Sequence, residues 1–476
     1  MPTPDFPIYV AGRWTQTNHP LAVFNPHDQS LIAQTFLAGK DELETAIHAG
    51  LSAQDSLKNM PSYRRFETLR YISDELFRNK KELAHLLSEE SAKPYRYALG
   101  EIERAAQTFL VAAEESKRLP GETLSLDWTP AGAGKEGIIQ YFPVGLIAGI
   151  APFNFPLNLA VHKIAPAMAS GNPIILKPAR STPLSVLALA KIIDQTEWPK
   201  GGISILPMDR EAGNQLVTDP RIKMLSFTGS PEVGWEMKAR AGKKKIALEL
   251  GGNAGVIVSE SCDQLNVAVQ KCIVGSFAYS GQVCIHVQRI YVQRSVFKAF
   301  AEQFVALASR LKMGNPTEPE TEISSMIDEA NALRVESWIQ DAVEDGARIL
   351  LGGKRHQNYV EPTVLTNTKR EMNVCALEIF GPVVSLEPFD TFDEAINLIN
   401  DSEFGLQAGV FTNHIDEMNA AFQRLEVGGV IINDVPSFRM DHMPYGGVKN
   451  SGFGREGVKY TIHEMMEPRL LVKNRG

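Results

Sequence analysis

The chain has 476 residues, of which 44% are hydrophobic and 22% charged, and its formal net charge is −8. A single core rarely holds so many residues, so the length predicts two or three domains of an ordinary globular protein. The negative charge argues against a non-specific nucleic-acid partner, because such partners need a basic surface.

The first residues and the cysteines indicate where the protein works. Residues 1–7 lack the basic stretch and apolar core of a signal peptide. The most apolar stretch, residues 144–152, is too short for a bilayer and is broken by glycine and proline. The four cysteines show neither a CxxC pair nor zinc-like spacing. We therefore expect free thiols in a cytoplasmic protein with no membrane partner and no metal.

Helical patterns fill the first quarter of the chain, and alternating patterns follow. Residues 41–58 carry apolar side chains on one predicted helix face, and residues 64–119 continue as helix with a break near Lys93. Short apolar runs then alternate with helical stretches. These predicted strands cover residues 145–151, 173–176, 203–207, 224–227 and 246–250. Strands separated by helices predict a parallel sheet in an α/β domain.

A second alternating series begins near residue 252. It contains predicted strands at 254–258 and 289–292 and predicted helices at 297–311, 328–345 and 392–400. Residues 470–473 read as a last strand, and residues 121–141 are β-prone and poor in helix formers.

Two stretches carry residues with chemical potential. FAYSGQVC (277–284) places Cys284 behind a glycine turn, and LELGG (248–252) places Glu249 at the end of an apolar run. A thiolate attacks carbon, and a nearby carboxylate activates a thiol or a water. A thioester that is later hydrolysed needs both groups. Taken alone, Cys284 also suits a small buried core residue, and Glu249 suits a structurally paired carboxylate.

The wider motif set resembles one family. The motifs, in chain order, are PFNFP (152–156), ILKP (175–178), FTGS (227–230), ELGG (249–252), GQVC (281–284), EIFGP (378–382) and PYGG (444–447). Together they resemble the NAD(P)-dependent aldehyde dehydrogenase superfamily. The nearest branch contains lactaldehyde, non-phosphorylating glyceraldehyde-3-phosphate, phosphonoacetaldehyde and succinate-semialdehyde dehydrogenases.

The resemblance implies a three-part α/β fold. A Rossmann-type NAD(P)-binding domain would take residues 1–120 and 142–251, and an α/β catalytic domain would take residues 252–442. A small β bridging region, residues 121–141 and 458–476, would join subunits into a homodimer or homotetramer.

The resemblance also assigns catalytic roles. Cys284 would attack the aldehyde, and Glu249 would activate the water that hydrolyses the thioester. The intermediate alkoxide needs preorganised donors, which would be the Asn154 side chain and the Cys284 backbone N–H. From the residues alone, Asn154 also suits a turn between prolines.

Cofactor contacts follow from the same resemblance, with NAD or NADP as the cofactor. GSPEVG (229–234) followed by a helix suits a pyrophosphate. The implied cofactor-binding residues are Lys177, Arg180, Phe153, Gly229, Ser230, Leu250, Gly251, Glu378 and Phe380.

Arg180 is a departure from NAD-preferring relatives, which carry a glutamate at its position. A guanidinium can pair with a 2′-phosphate. We therefore expect NADP to be accepted. The alternative is an arginine that simply points to solvent.

The implied substrate pocket contains two arginines, Arg104 and Arg439, where phosphate-accepting relatives clamp an anion. A third arginine of those relatives corresponds to Val283 here. A small carboxylated or hydroxylated aldehyde therefore fits better than a phosphate, such as succinate semialdehyde, lactaldehyde or glyceraldehyde. Alternatively, Arg104 pairs with Glu101 along a helix, and Arg439 pairs with Asp434 or Asp441.

The remaining candidate pocket residues are two histidines and two aromatic residues. His162 and His286 would be polar lining, although either suits a structural histidine equally, and Phe155 and Tyr445 would supply walls. Two other functions stay open: a coenzyme A-acylating dehydrogenase, which typically lacks the glutamate found at Glu249, and a non-catalytic protein on the same scaffold.

Overall fold

The structure is a computed structural model that describes residues 4–474. An eight-stranded sheet forms its first layer system, and its central strands are parallel because helices connect them across both faces. In spatial order the strands are Arg13–Thr15, Ile8–Val10, Ile203–Ile205, Ile174–Lys177, Ile147–Ile150, Met224–Thr228, Lys245–Glu249 and Gly452–Phe453. The two strands nearest the N-terminus and the last strand are antiparallel to their neighbours, and the sequence did not predict them.

Helices cover this sheet. They are Lys40–Lys58, Ser62–Arg78, Lys80–Ser91, Tyr95–Ser116, Pro156–Ser170, Leu184–Asp194, Arg210–Thr218 and Pro231–Arg240. The break predicted near Lys93 is present, because Ala92 adopts a left-handed φ of 54° and Pro94 precedes the next helix. Helix Pro156–Ser170 is buried along its whole length, so it lies at the centre of the largest core cluster.

A seven-stranded sheet forms the second layer system. In spatial order its strands are Arg348–Leu351, Thr363–Thr366, Val383–Phe389, Arg289–Gln293, Gly255–Val258, Gln407–Phe411 and Gly429–Ile432. All neighbours are parallel except the first pair. The surrounding helices are Leu265–Phe277, Arg294–Ala308, Glu329–Glu344, Asn373–Ala376, Phe392–Asn400 and Ile415–Arg424.

A three-stranded antiparallel sheet stands apart from both. It orders Met466–Asn474, Lys135–Pro143 and Gly121–Ser125, with a short 3-10 helix at Pro130–Gly132. Helix Val458–Glu464 precedes it, but Val458 and Ile462 pack in the core of the first layer system. Of the bridging region predicted at residues 458–476, this sheet contains strand Met466–Asn474.

Smaller pairings complete the fold. They are Pro20–Phe24 with Leu31–Phe36, Arg355–His356 with Tyr359–Val360, and Phe404–Gly405 with Val448–Lys449. No helix within residues 4–474 is long and apolar enough to cross a membrane.

Candidate active site

Glu249 ends a regular strand of the first sheet. Strand Lys245–Glu249 runs parallel to Met224–Thr228, with Glu249 opposite Thr228. The chain then leaves the sheet through Gly251, where a Cβ atom would lie 2.0 Å from a Glu378 carboxylate oxygen. Both Glu249 carboxylate oxygens are buried without a hydrogen-bond partner.

The surroundings of Glu249 shift the pKa of its carboxyl group. Burial raises its pKa well above the usual range, and the neighbouring Glu456 carboxylate raises it further. Arg439 and Lys163 oppose this shift. A buried carboxyl with no partner and a raised pKa is suited to proton transfer rather than to structural pairing.

Cys284 follows a backbone turn that few residues adopt. The 3-10 turn Ala278–Gly281 includes Tyr279 and Ser280 with φ of 50° and 53°, and Gly281 with φ of 70°. A side chain at Gly281 would place Cβ 2.1 Å from the Gly381 carbonyl oxygen, so only glycine fits. This turn aims Cys284 into a cavity, with its Sγ 3.2 Å from the Tyr445 hydroxyl oxygen.

Burial keeps the Cys284 thiol protonated at neutral pH. It raises the pKa to about 11, while the Tyr445 hydroxyl and the Arg439 charge act in the opposite direction. A base is therefore needed to form the thiolate.

Asn154 lies beside the cysteine turn. It is buried, and its Nδ2 donates to the Gln282 carbonyl oxygen at 3.0 Å. Its Oδ1 accepts from the Phe155 backbone N–H at 3.1 Å, which orients the amide. The side chain thus bridges the PFNFP loop to the segment that carries the nucleophile.

One cavity of about 670 Å³ brings together residues from both layer systems. Ten residues singled out from the sequence line it: Phe153, Asn154, Gly229, Ser230, Glu249, Leu250, Gly251, Cys284, Glu378 and Phe380. Eight others are not among its lining residues: Arg104, Phe155, His162, Lys177, Arg180, His286, Arg439 and Tyr445.

The cavity has features that fit a dinucleotide. Helix Pro231–Arg240 begins directly after Gly229 and Ser230, so its positive N-terminal end points to the cavity rim. Glu378 accepts the Gly252 N–H at 3.0 Å, and burial raises its pKa to about 7. This carboxylate has a second oxygen left for a ribose hydroxyl.

Two aromatic rings pack against each other at this cavity. The Phe153 and Phe380 ring centroids are 5.9 Å apart in an edge-to-face arrangement. Phe380 has a left-handed φ of 44°, an uncommon backbone state for a phenylalanine, which presents its ring to the cavity. The rings suit packing beside the flat part of a cofactor.

Lys177 and Arg180 form a separate pair of cations. Lys177 is partly buried, whereas Arg180 is exposed. Burial lowers the pKa of Lys177, and the charge of Arg180 lowers it further, so the two side chains are close. Neither lines the 670 Å³ cavity: Lys177 ends strand Ile174–Lys177, which follows helix Pro156–Ser170, and Arg180 lies three residues beyond that strand end.

Sequence reasoning missed several cavity residues. Asn331, Arg334 and Trp338 line the cavity from helix Glu329–Glu344, with the Arg334 guanidinium carbon 4.8 Å from the Trp338 ring centroid. Their spacing of three and four residues marks one helix face, which is the signal that could have found them. Leu159, Thr228 and Phe404 also line the cavity.

Arg439, in the loop that precedes the PYGG motif, packs against Tyr445, the tyrosine whose hydroxyl lies beside the Cys284 thiol. The Arg439 guanidinium carbon lies 3.7 Å from the Tyr445 ring centroid. Arg439 donates to Glu456 at 3.1 Å, and its Nε is buried without a partner. The pairing of Arg439 with Asp434 or Asp441 considered from the sequence is therefore wrong, because Glu456 takes that place.

Arg104 and His162 meet on Asp441. Arg104 donates to both Asp441 oxygens, at 2.7 and 3.3 Å, and His162 Nε2 lies 2.8 Å from Asp441 Oδ1. Asp441 has a pKa far below its usual range, since His162 and Arg104 outweigh the opposing effect of burial. The alternative pairing of Arg104 with Glu101 is wrong, because Glu101 pairs with Lys93.

Two predicted pocket residues contact protein groups away from the cavity. His286 is buried, which lowers its pKa to about 4, and its ring bonds to the Ser276 backbone, while its Nε2 has no partner among residues 4–474. Phe155 packs against Tyr279, with ring centroids 6.4 Å apart. Neither residue is among those that line the cavity, so their role in a substrate pocket stays a prediction.

The fold and the site first define a class: an α/β enzyme in which a loop supplies a thiol and a strand end supplies a carboxylate to one cavity between two sheets. The chain belongs to the aldehyde dehydrogenase family, whose model matches residues 14–471. It is an NAD(P)-dependent oxidoreductase that acts on aldehydes.

Similar proteins cover nearly the whole chain. It is 43% identical over 469 residues to a 3-sulfolactaldehyde dehydrogenase of Priestia megaterium, covering 98% of each. It is 38% identical to a lactaldehyde dehydrogenase of Methanococcus aeolicus, covering 98% of this chain and 100% of that protein. Aldehyde dehydrogenase 21 of Physcomitrella patens, solved with the reaction product succinate, is 42% identical with a TM-score of 0.99, covering 100% and 99%.

A further solved structure bears on the cofactor. The glyceraldehyde-3-phosphate dehydrogenase of Methanocaldococcus jannaschii, complexed with NADP, is 38% identical with a TM-score of 0.92, covering 96% of this chain and 100% of that one.

Proposed function

We propose that this enzyme oxidises a small aldehyde to its carboxylic acid through a thioester on Cys284. The observation that carries the proposal is that the half-buried Cys284 and the buried Glu249 line one cavity together with Asn154. A nucleophile, a base and an oxyanion donor are the groups that such a reaction needs.

In the proposed reaction, Glu249 removes the thiol proton, directly or through a water, and the sulfur attacks the aldehyde carbon. The Asn154 amide and the Cys284 backbone N–H then stabilise the alkoxide. NAD(P)+ bound in the cavity supplies the hydride acceptor. Glu249 then passes the first proton to solvent and takes a proton from the water that cleaves the thioester. The C–S bond breaks, the acid leaves, and the departing sulfur takes a proton back to restore the thiol.

The cofactor would be held by residues on both sides of the cavity. Gly229 and Ser230, at the N-terminus of helix Pro231–Arg240, would take the pyrophosphate, and Glu378 would take the nicotinamide ribose. Leu250, Gly251, Phe153 and Phe380 would line the nicotinamide. Lys177 would bond the adenosine ribose.

A coenzyme A-acylating enzyme is the main competing function, since it shares every step up to the thioester. The unpartnered Glu249 carboxylate favours hydrolysis by water. Product analysis with and without coenzyme A decides between them. We expect free acid at the same rate in both reactions, and an acyl-coenzyme A product would overturn the proposal.

We propose an aldehyde whose far end is anionic or hydroxylated. Arg439 and Arg104 lie around the loop that holds Tyr445 and Asp441, and the buried Arg439 Nε has no hydrogen-bond partner within residues 4–474. The relatives named for 3-sulfolactaldehyde and lactaldehyde, and the succinate-bound structure, support this substrate class.

An aldehyde panel tests the substrate class. We expect a higher kcat/KM for succinate semialdehyde, lactaldehyde or glyceraldehyde than for unsubstituted aldehydes. In Arg439→Ala the KM for carboxylated aldehydes should rise at least about tenfold, while that for a neutral aldehyde stays within about threefold. An unchanged KM for carboxylated aldehydes would remove the anion-binding role.

We also propose that NADP is accepted, because Arg180 places an exposed cation beside Lys177. Arg180→Glu should lower kcat/KM for NADP about 10- to 100-fold and leave NAD little changed, whereas Arg180→Gln should have a smaller effect. A strong NAD preference that Arg180→Glu leaves unchanged would end this proposal.

The oligomer is proposed from the edge strand Met466–Asn474. Leu470, Leu471 and Val472 are about half exposed there, and the strand pairs on one side only with Lys135–Pro143. An apolar, unpaired edge suits burial against a second subunit. We propose a homodimer or homotetramer in the cytoplasm. Light scattering after gel filtration and cell fractionation test the two parts, and a monomer would contradict the first.

A further inference from the structure

Lys93 and Glu101 form a buried ion pair that does not line the cavity. Neither side chain is exposed, and the Lys93 ammonium donates to Glu101 Oε2. Burial of two charges costs several kcal/mol per ion unless other contacts satisfy them. The contacts of this pair therefore show what it holds in place.

Glu101 holds the helix that follows the Asn154 loop. Its Oε1 accepts the backbone N–H groups of Leu157 and Asn158, each at 3.0 Å. These are first-turn donors of helix Pro156–Ser170, which have no partner within the helix. The carboxylate also faces the positive end of the helix dipole. Glu101 thus fixes the loop only three residues after Asn154.

Lys93 holds the turn that precedes Cys284. Its Nζ lies 3.6 Å from the Phe155 ring centroid and 4.6 Å from that of Tyr279. Phe155 is adjacent to Asn154, and Tyr279 is the first left-handed residue of the cysteine turn. The Tyr279 hydroxyl also donates to the Ser91 carbonyl oxygen at 2.9 Å. The ammonium therefore packs between two loops that both approach the nucleophile.

We propose that the Lys93–Glu101 pair is a positioning clamp for the oxyanion donors. It sets the separation of Asn154 from the Cys284 backbone N–H, so that both donors converge on one alkoxide oxygen. The pair acts through Phe155 and Tyr279 and does not line the cavity itself. This inference rests on the proposed function, because only a reaction with an alkoxide intermediate needs that separation fixed.

Charge-neutral variants separate positioning from stability. Lys93→Met leaves a buried carboxylate without its cation, and Glu101→Gln leaves a buried cation without its anion, so each lowers Tm. The double variant Lys93→Met/Glu101→Gln has no unpaired charge and should regain most of the lost Tm. It still lacks the clamp, so its acylation rate should stay low.

Two rates on the same protein provide the test. The pre-steady-state burst of reduced cofactor reports acylation, which needs the oxyanion donors. Alkylation of Cys284 by iodoacetamide forms an S–C bond and releases iodide without an alkoxide. In the double variant we expect the burst to fall about 10- to 100-fold. Alkylation and both KM values should stay within about threefold of wild type.

Two further variants serve as an independent probe of the clamp and as a control. Tyr279→Phe keeps the ring and removes only the bond to Ser91, and it should slow the burst several-fold without changing alkylation. Glu90→Gln is the matched control, because Glu90 caps another buried helix at Leu184 and Ser185. It should lower Tm and leave the ratio of burst to alkylation unchanged.

The outcomes are distinct. A wild-type burst rate in the folded double variant and in Tyr279→Phe would overturn the clamp. An equal fall of burst and alkylation would overturn it as well, since that indicates general disruption of the turn. A wild-type enzyme with no burst on any aldehyde would overturn the proposed function itself.

Discussion

Glu249 and Cys284 reach the same cavity on two very different pieces of backbone. Glu249 ends a regular parallel strand whose register is fixed by Met224–Thr228 on one side and Gly452–Phe453 on the other. Cys284 follows three consecutive residues with positive φ, two of which are not glycine. The strand is a low-energy state of its own sequence, whereas the turn costs roughly 1–2 kcal/mol for each such residue.

The difference shows what each group depends on. The strand would place Glu249 correctly in any well-packed version of this sheet. The turn persists because distant side chains hold it: Ser280 donates to the Ser324 carbonyl at 2.7 Å, and Gln282 Oε1 accepts the Ile327 N–H at 3.0 Å. The proposed base is thus positioned by secondary structure, and the proposed nucleophile is positioned by tertiary contacts.

The largest expected effect comes from removing the sulfur. Cys284→Ser should lower kcat by at least about 10⁴-fold, because a serine hydroxyl in this cavity is a far weaker nucleophile than the thiol. Stopped-flow absorbance of reduced cofactor measures the loss, and cofactor Kd should stay unchanged as a control. An undiminished rate would rule out the mechanism through a Cys284 thioester.

Glu249→Gln separates the two halves of the reaction. Steady-state turnover should fall about 10²- to 10⁴-fold, because no carboxylate remains to activate the water. A slower burst of reduced cofactor should remain, because Glu249 also removes the thiol proton, and the acyl group should be trapped on Cys284 and visible by mass spectrometry of the intact protein. A burst at the wild-type rate would contradict the proposed role of Glu249 in ionising the thiol.

The pH profile gives a second readout of this residue. The raised pKa of Glu249 means that the active carboxylate forms only as pH rises, so wild-type kcat should climb on the acid side. That limb should disappear in Glu249→Gln. The matched control is Glu387→Gln, which alters a partly buried carboxylate bonded to Thr368 away from the cavity.

The same comparison explains what the sequence could predict. The strand ending at Glu249 was predicted at residues 246–250 and found at Lys245–Glu249, since its apolar run encodes it locally. The motif residues at Asn154, Glu249, Cys284 and Glu378 all line the cavity. Motifs predict such positions because each motif encodes, within a few residues, the local backbone conformation that places its side chain.

Contacts between distant segments could not be predicted in the same way. Helical spacing suggested Glu101 as the partner of Arg104. In the structure, Glu101 instead pairs with Lys93, a buried lysine eight residues before it. Arg439 and Glu456 come together only through the backbone pairing of Tyr445 with Glu456. The glycine turn before Cys284 was predicted, but the positive φ of Tyr279 and Ser280 was not, because neither residue type favours it.

Gly281→Ala tests the dependence of the nucleophile on its turn. The new methyl group meets the Gly381 carbonyl at 2.1 Å in a left-handed conformation, so stability should fall by about 2–4 kcal/mol. Displacement of Cys284 should lower kcat about 10- to 100-fold. Urea unfolding and steady-state kinetics measure the two effects.

Gly242→Ala is the matched control for that substitution. Gly242 also has a positive φ, of 65°, but nothing lies within 4 Å of its added Cβ. It should therefore show only the conformational cost of about 1–2 kcal/mol, with unchanged kcat. Equal loss of activity in both variants would contradict the dependence on the turn.

The smallest effect is expected at Tyr445. Tyr445→Phe keeps the ring under Arg439 and removes only the hydroxyl at 3.2 Å from Sγ. That hydroxyl stabilises the thiolate, so its loss should raise the Cys284 pKa by about one unit. The pH dependence of iodoacetamide alkylation should shift upward by that amount, and kcat/KM at neutral pH should fall about 3- to 10-fold. Tyr460→Phe, at an exposed tyrosine, should change neither quantity. An unshifted profile in Tyr445→Phe would mean that the thiolate is stabilised by Arg439 and the turn backbone alone, which would make the tertiary contacts of the turn more important still.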